Sequence, residues 1–129
     1  MKQFFSIFFL LLATISFAQV DSSFLLLRSY QGDVVNAAID NLDNLYVVSS
    51  TGQVKKFNNR GDSVAVFNGV RAHGKLHALD VTNPLKPLLF YKDFSTVVIL
   101  DRLLSSRSSL DLRRYNVLQP AAVTLSYDN

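Results

Sequence analysis

Residues 37–69 read AAIDNLDNLYVVSSTGQVKKFNNRGDSVAVFNG. Short runs of Val, Leu, Phe and Tyr alternate here with clusters of Asn, Asp, Ser, Thr and Gly, the pattern of strands joined by tight turns. Ala37–Ile39, Leu45–Val48, Val54–Phe57 and Val64–Phe67 are therefore predicted as four consecutive strands. The stretches Asp40–Asn44, Ser50–Gly52, Asn58–Asp62 and Asn68–Gly69 supply the turns.

Outward from this stretch the pattern continues. Leu76–Leu79, Leu88–Tyr91, Val97–Leu100 and Leu110–Arg113 form a second predicted set of strands. Their turns fall at Thr82–Pro84, at Lys92–Ser95 and in the Ser/Arg stretch Ser105–Ser109, which reads as a flexible loop. Arg102–Leu104 either extends the third strand or makes a brief helical turn. No segment sustains a 3.6-residue apolar period over several turns, so little helix is expected. The acids agree: all ten are Asp and none is Glu. Asp competes with the helical backbone and favours turns, whereas Glu favours helices. The predicted fold class is all-β and antiparallel.

The chain also repeats. Leu25–Asn44 (LLLRSYQGDVVNAAIDNLDN) and Leu110–Asn129 (LDLRRYNVLQPAAVTLSYDN) share seven of twenty residues without a gap, at an offset of 85. That offset is about twice the ~40–45 residue period of four-stranded propeller units. Between them, Ala38-Ile39-Asp40 recurs as Ala78-Leu79-Asp80. The pattern Ala37-Ala38-Ile39-Asp40-x-x-Asp43-Asn44-Leu45-Tyr46-Val47, followed by a strand and a polar hairpin, resembles the blades of NHL-like and TolB-like β-propellers. The second unit, Asp80–Lys86 through Thr96–Asp101, is similar to secreted propeller proteins of Gram-negative bacteria. The resemblance implies a partial β-propeller over residues 19–129. It would contain an N-terminal outer strand at Phe24–Tyr30, two four-stranded antiparallel blades and the start of a third blade. Ala37–Ile39 and Ala78–Leu79 would line the channel. Because rings take about four to eight blades, the chain is expected to be the N-terminal part of a longer protein. The matched positions carry over no catalytic residue.

The N-terminus has a different character. Met1-Lys2-Gln3 is a short basic start, Phe4–Ile15 is apolar except for Ser6 and Thr14, and Ser16-Phe17-Ala18 ends small-x-small. This is the layout of a secretory signal, placing a signal peptide at residues 1–18 and cleavage between Ala18 and Gln19. The run is shorter than the ~20 apolar residues a spanning helix needs, so no membrane span is expected after cleavage. With no cysteine there is neither a disulfide nor a thioether lipid anchor. An exported bacterial protein, periplasmic, cell-surface or secreted, is the expected setting. The net charge is +3, but the only adjacent basic pairs are Lys55-Lys56 and Arg113-Arg114. No track for nucleic acid results.

Few residues suggest chemistry. His73 and His77 are four apart, a metal-sharing spacing only on a helix; on a strand or turn they are too far apart, and a solvated loop accounts for them better. Asp40 and Asp43 in Asp40–Asn44 are the candidates for a metal. The stretch lacks the alternate ligands and the Gly of a calcium loop, so side-chain capping of a turn explains it better. Arg60-Gly61-Asp62, an adhesion-type tripeptide, sits where turn chemistry alone expects Gly and Asp. No nucleophile elbow or phosphate-cradling glycine loop is present, and no cofactor is expected. The preferred reading is an exported, non-enzymatic binding or scaffold module whose partner is a protein or glycan of the cell envelope. One alternative is a propeller hydrolase or lyase acting on a glycan or lactone, with catalytic groups converging near Asp40 and Asp80 and mostly supplied from outside this stretch. Another is an envelope accessory protein docking through an open strand edge.

Overall fold

A computed structural model describes residues 25–126 apart from Leu27. The predicted leader, its Ala18–Gln19 junction, and Tyr127–Asn129 lie outside the described residues. Among the described residues eight strands follow one another: β1 (Val34–Ile39), β2 (Leu45–Ser49), β3 (Gln53–Phe57), β4 (Ser63–Asn68), β5 (Ala78–Asp80), β6 (Leu88–Tyr91), β7 (Thr96–Leu100) and β8 (Ser106–Asp111). They make two four-stranded antiparallel sheets, each a meander in chain order: sheet 1 is β1-β2-β3-β4 and sheet 2 is β5-β6-β7-β8. Among the described residues helix is confined to one turn, α1 (Val70–His73), and two 3₁₀ turns at Lys92–Phe94 and Leu112–Tyr115. The all-β expectation holds.

The turns explain why these runs become hairpins. Residues 40–44, 58–62 and 101–105 adopt the same closure. In each, the first residue's N–H donates to the fifth carbonyl, and the fourth N–H donates back to the first carbonyl. The first side chain, Asp40, Asn58 or Asp101, accepts from the backbone N–H groups two and four residues on. The fourth residue is left-handed: Asp43 at φ 59°, Gly61 at 82° and Leu104 at 59°. This is a type I turn followed by a left-handed residue, and it needs an Asx-type acceptor at its start. Among the described acids, Asp40, Asp43, Asp62 and Asp101 all sit in these three turns.

Residues opposite one another in antiparallel strands share a face. In sheet 1, Ala38, Tyr46, Lys56 and Ala65 lie in one row, with Val48, Val54 and Phe67 on the same side. This face looks towards the later part of the chain and is called leading. It packs on the trailing face of sheet 2, built from Leu79, Leu89, Val98, Tyr91 and Leu100. The leading face of sheet 2 carries Ala78, Leu88, Phe90 and Val97 and is covered by Leu112, Val123 and Leu125. Sheet 2 is therefore apolar on both sides, and every residue of β6 is buried. In β2, buried Tyr46 and Val48 alternate with half-buried neighbours.

Three expectations need correction. The fourth strand of sheet 2 is Ser106–Asp111, not Leu110–Arg113, so Ser106–Ser109 is strand rather than flexible loop. Pairing with β7 (Val98 opposite Ser109, Ile99 opposite Ser108) makes the strand; its own side chains are almost all exposed. Leu112–Tyr115 is a 3₁₀ turn, begun by the Asp111 carboxylate accepting from the Arg113 N–H. Arg102–Leu104 is the tight turn already described. The described part of the expected outer strand at Phe24–Tyr30 makes no strand pairing; Tyr30 instead lays its ring on Phe57 at 4.7 Å between centroids.

Candidate functional site

The ends of β1 and β5 and the segment around Thr124 surround an open cleft of about 650 Å³. Its walls include Ile39, Asp40, Asn41, Asp80, Thr82 and Thr124. Both strands stop here for the same reason. Asp40 and Asp80 each accept a hydrogen bond from the N–H two residues on, Leu42 at 2.9 Å and Thr82 at 2.9 Å, which bends the chain out of its ladder. The recurrence of Ala-x-Asp forty residues apart is thus a recurrence of strand endings at one cleft.

Asp40 is buried and fully occupied. One oxygen accepts from the N–H of Leu42, the N–H of Asn44 and the Asn44 amide; the other accepts from that amide at 2.9 Å and from the Tyr46 hydroxyl at 3.1 Å. Burial alone pushes its carboxyl up, but the donors from Asn44, Leu42 and Tyr46 together outweigh it and leave the group below the ordinary carboxylate value. Tyr46 is driven the other way, by its own burial and then by the Asp40 charge. Beneath them lies buried Lys56, whose Nζ sits 5.1 Å from the Tyr46 ring centre and donates to the Arg102 carbonyl at 3.0 Å. Burial lowers the lysine; the nearby Asp40 charge opposes that and Arg102 adds to it. The result is a tie from sheet 1 to the last turn of sheet 2.

Asp80 does what Asp40 does not: it reaches across the cleft. Its second oxygen accepts from the Thr124 hydroxyl at 2.6 Å and from the Leu125 N–H at 3.3 Å. Burial raises this carboxyl, while donation from Thr124, Thr82 and Leu125 lowers it, and the net shift is downward. The segment near Thr124 is held at the mouth of the cleft by this bond and by Val123 and Leu125 on sheet 2. Neither carboxylate offers a free, proton-holding form at neutral pH, so both act as fixed acceptors.

The remaining sequence candidates separate. Asp43 occupies the left-handed position of its turn, and among the described residues no group of three metal-ligating side chains exists. His73 packs on Tyr91 with centroids 5.1 Å apart, and His77 meets Phe90 edge-on at 5.6 Å. Tyr91 and Phe90 point to opposite faces of β6, so the two imidazoles cannot share a ligand. Arg60-Gly61-Asp62 is the hairpin itself: Asn58 accepts from the N–H of Arg60 and of Asp62 and donates its amide to the Asp62 carboxylate. Thr82, Thr124 and the Tyr46–Lys56 pair were not singled out from sequence. For Thr124 the signal existed, because the offset of 85 aligns Ala122 with Ala37 and so brings residues 122–125 beside the ends of the other two units.

Among the described residues no helix is long and apolar enough to cross a membrane. Set against known proteins, the chain matches no protein-family model, no curated protein and no solved structure.

Proposed function

We propose that the two sheets are consecutive blades of a β-propeller and that the chain is an exported, non-enzymatic binding or scaffold module, holding a protein or glycan of the cell envelope at the cleft between Asp40, Asp80 and Thr124. The blade reading is supported by the same meander occurring twice, with face-to-face stacking and matched turn closures at Asn58 and Asp101. Matched bulges add to this: the register shifts between Lys56 and Phe57 in sheet 1 and between Ile99 and Leu100 in sheet 2, each just before those turns.

One observation carries the choice of binding over catalysis. The carboxylates at the cleft are saturated with donors and shifted downward. A general acid for glycoside or lactone cleavage needs a carboxyl whose pKa is raised towards the working pH. A cleft with fixed acceptors, threonine hydroxyls and apolar Ile39 and Val123 instead suits a polar ligand recognised by shape and hydrogen bonding. The test is an amide-resonance titration of the chain with soluble oligosaccharides and peptides prepared from the cell envelope. Saturable shifts at Asn41, Thr82 and Thr124, lost in Thr124→Val, are expected. Shifts confined elsewhere, or turnover of an added glycan, would sink the reading.

A further inference from the structure

Sheet 1 hands the chain on to sheet 2 at Asn68-Gly69. No other asparagine in the sequence, and no aspartate, precedes a glycine. Asn68 is the last residue of β4, an exposed position on an edge strand, opposite Gln53. Its Oδ1 accepts from the Val70 N–H at 3.3 Å. The side chain is thereby folded forward along the peptide that joins it to Gly69, in the manner of an Asx turn. The Gly69 carbonyl accepts from both Ala72 and His73, but the Gly69 N–H has no acceptor among the described residues.

Each of these features favours attack of the Gly69 nitrogen on the Asn68 side-chain carbonyl. Glycine has no Cβ to shield its nitrogen and leaves the backbone free to rotate. The hydrogen bond from Val70 holds the amide near its target and stabilises the charge that gathers on Oδ1 as the new bond forms. An N–H without an acceptor gives up its proton without breaking a hydrogen bond. Asn68 also ends its strand, so rotation there moves only the link to the one-turn α1.

We infer that Asn68 is a site of spontaneous modification, deamidation through a cyclic imide, at the joint between the two sheets. The bond from the Gly69 nitrogen to the Asn68 Cγ forms, the Cγ–Nδ2 bond breaks, and ammonia leaves with the Gly69 proton. Water then opens the imide. Opening at Cγ leaves an aspartate; opening at the main-chain carbonyl leaves an isoaspartate, whose backbone runs through Cγ and is longer by a methylene. No atom changes oxidation state. The joint has little room for that methylene: a Cβ on Gly69 would stand 2.6 Å from the Tyr91 hydroxyl and 2.8 Å from the Phe67 ring. The inference does not rest on what the cleft binds.

Peptide mapping by mass spectrometry of the full chain, kept folded at mildly alkaline pH, tests this. Conversion of amide to acid is expected at Asn68, with isoaspartate there labelled by an isoaspartyl methyltransferase. Its rate should lie within about tenfold of that in the urea-unfolded chain, about 1.4 kcal/mol in barrier. Asn59 and Asn116, also exposed but followed by Arg and Val, should stay amides over the same period. Asn68→Ser keeps an oxygen for the Val70 N–H and should abolish the conversion. The separated isoaspartate form should unfold at lower urea than Asn68→Asp, which adds the charge without lengthening the chain. Slower conversion in the folded chain, or conversion spread equally over Asn59 and Asn116, overturns the proposal. An isoaspartate form as stable as Asn68→Asp overturns the part that concerns the joint.

Discussion

Sheet 1 and sheet 2 share their topology, the closure of their last hairpin and the bulge beside it, yet their strands are composed differently. The central strands of sheet 1, LYVVS and QVKKF, alternate between buried and accessible positions and admit Lys55 and Lys56. Those of sheet 2, LLFY and TVVIL, are almost continuously buried. The difference is one of position in the stack. A sheet covered on both faces reads as an unbroken apolar run, and a sheet covered on one reads as an alternation. Strand composition therefore reports neighbours, while the Asx positions of the turns report the repeat.

The largest effect that sharpens this contrast is in the core. Leu89→Ala, at a fully buried site, is expected to cost about 3–4 kcal/mol in urea denaturation, against about 1 kcal/mol for half-buried Leu45→Ala. Equal losses would break the distinction between the sheets. Next come the matched turns. Leu104→Gly relieves a left-handed residue but empties a buried site, for a net loss of about 2 kcal/mol; Gly61→Ala should lose about 1 kcal/mol because φ is +82° there. Two buried tyrosines give a smaller and opposite pair. Tyr46→Phe removes a donor from Asp40 and should cost about 1–2 kcal/mol. Tyr91, which burial pushes up to about 12, has a hydroxyl with no hydrogen-bond partner among the described residues, and Tyr91→Phe should leave stability unchanged or raise it by about 1 kcal/mol.

The smallest effect concerns acid. Asp40 titrates below its ordinary 3.8 when folded, so the unfolded chain takes up the proton first. Its contribution is complete above that value and is lost as the pH falls through the lower, folded one. Asp40→Asn should flatten the dependence of stability on pH in that acid window, measured by urea denaturation at successive pH values, and leave the neutral plateau sloped as before.

Much of this architecture was legible because strong local signals coincide. Leu45–Val48, Val54–Phe57, Leu88–Tyr91 and Val97–Leu100 combine β-branched and large apolar residues with turn residues on both sides, and the observed strands match them to within a residue or so. Ser106–Arg107–Ser108–Ser109 failed as a signal because an edge strand exposed on both sides has no apolar face to announce itself. Leu110 and Leu112 misled, since alternation at two leucines looks the same whether the chain continues as a strand or turns after Asp111. At the cleft, Asp40 was readable as a turn cap because its partners lie within six residues. The Asp80–Thr124 and Lys56–Arg102 bonds span 44 and 46 residues, and no local pattern encodes them.

The unbroken meander order has a consequence for how the chain acquires its structure. Every strand pair joins neighbours in sequence, so closing each hairpin costs little loop entropy and asks for no partner made much later. Sheet 1 holds all its pairings once Asn68 has emerged, before any of sheet 2 exists. Its apolar leading face must then wait for β6 and β7. The period of greatest vulnerability to misassociation falls between the appearance of Asn68 and that of Leu100, and a pause in synthesis within that interval would expose Tyr46, Val48 and Val54 together.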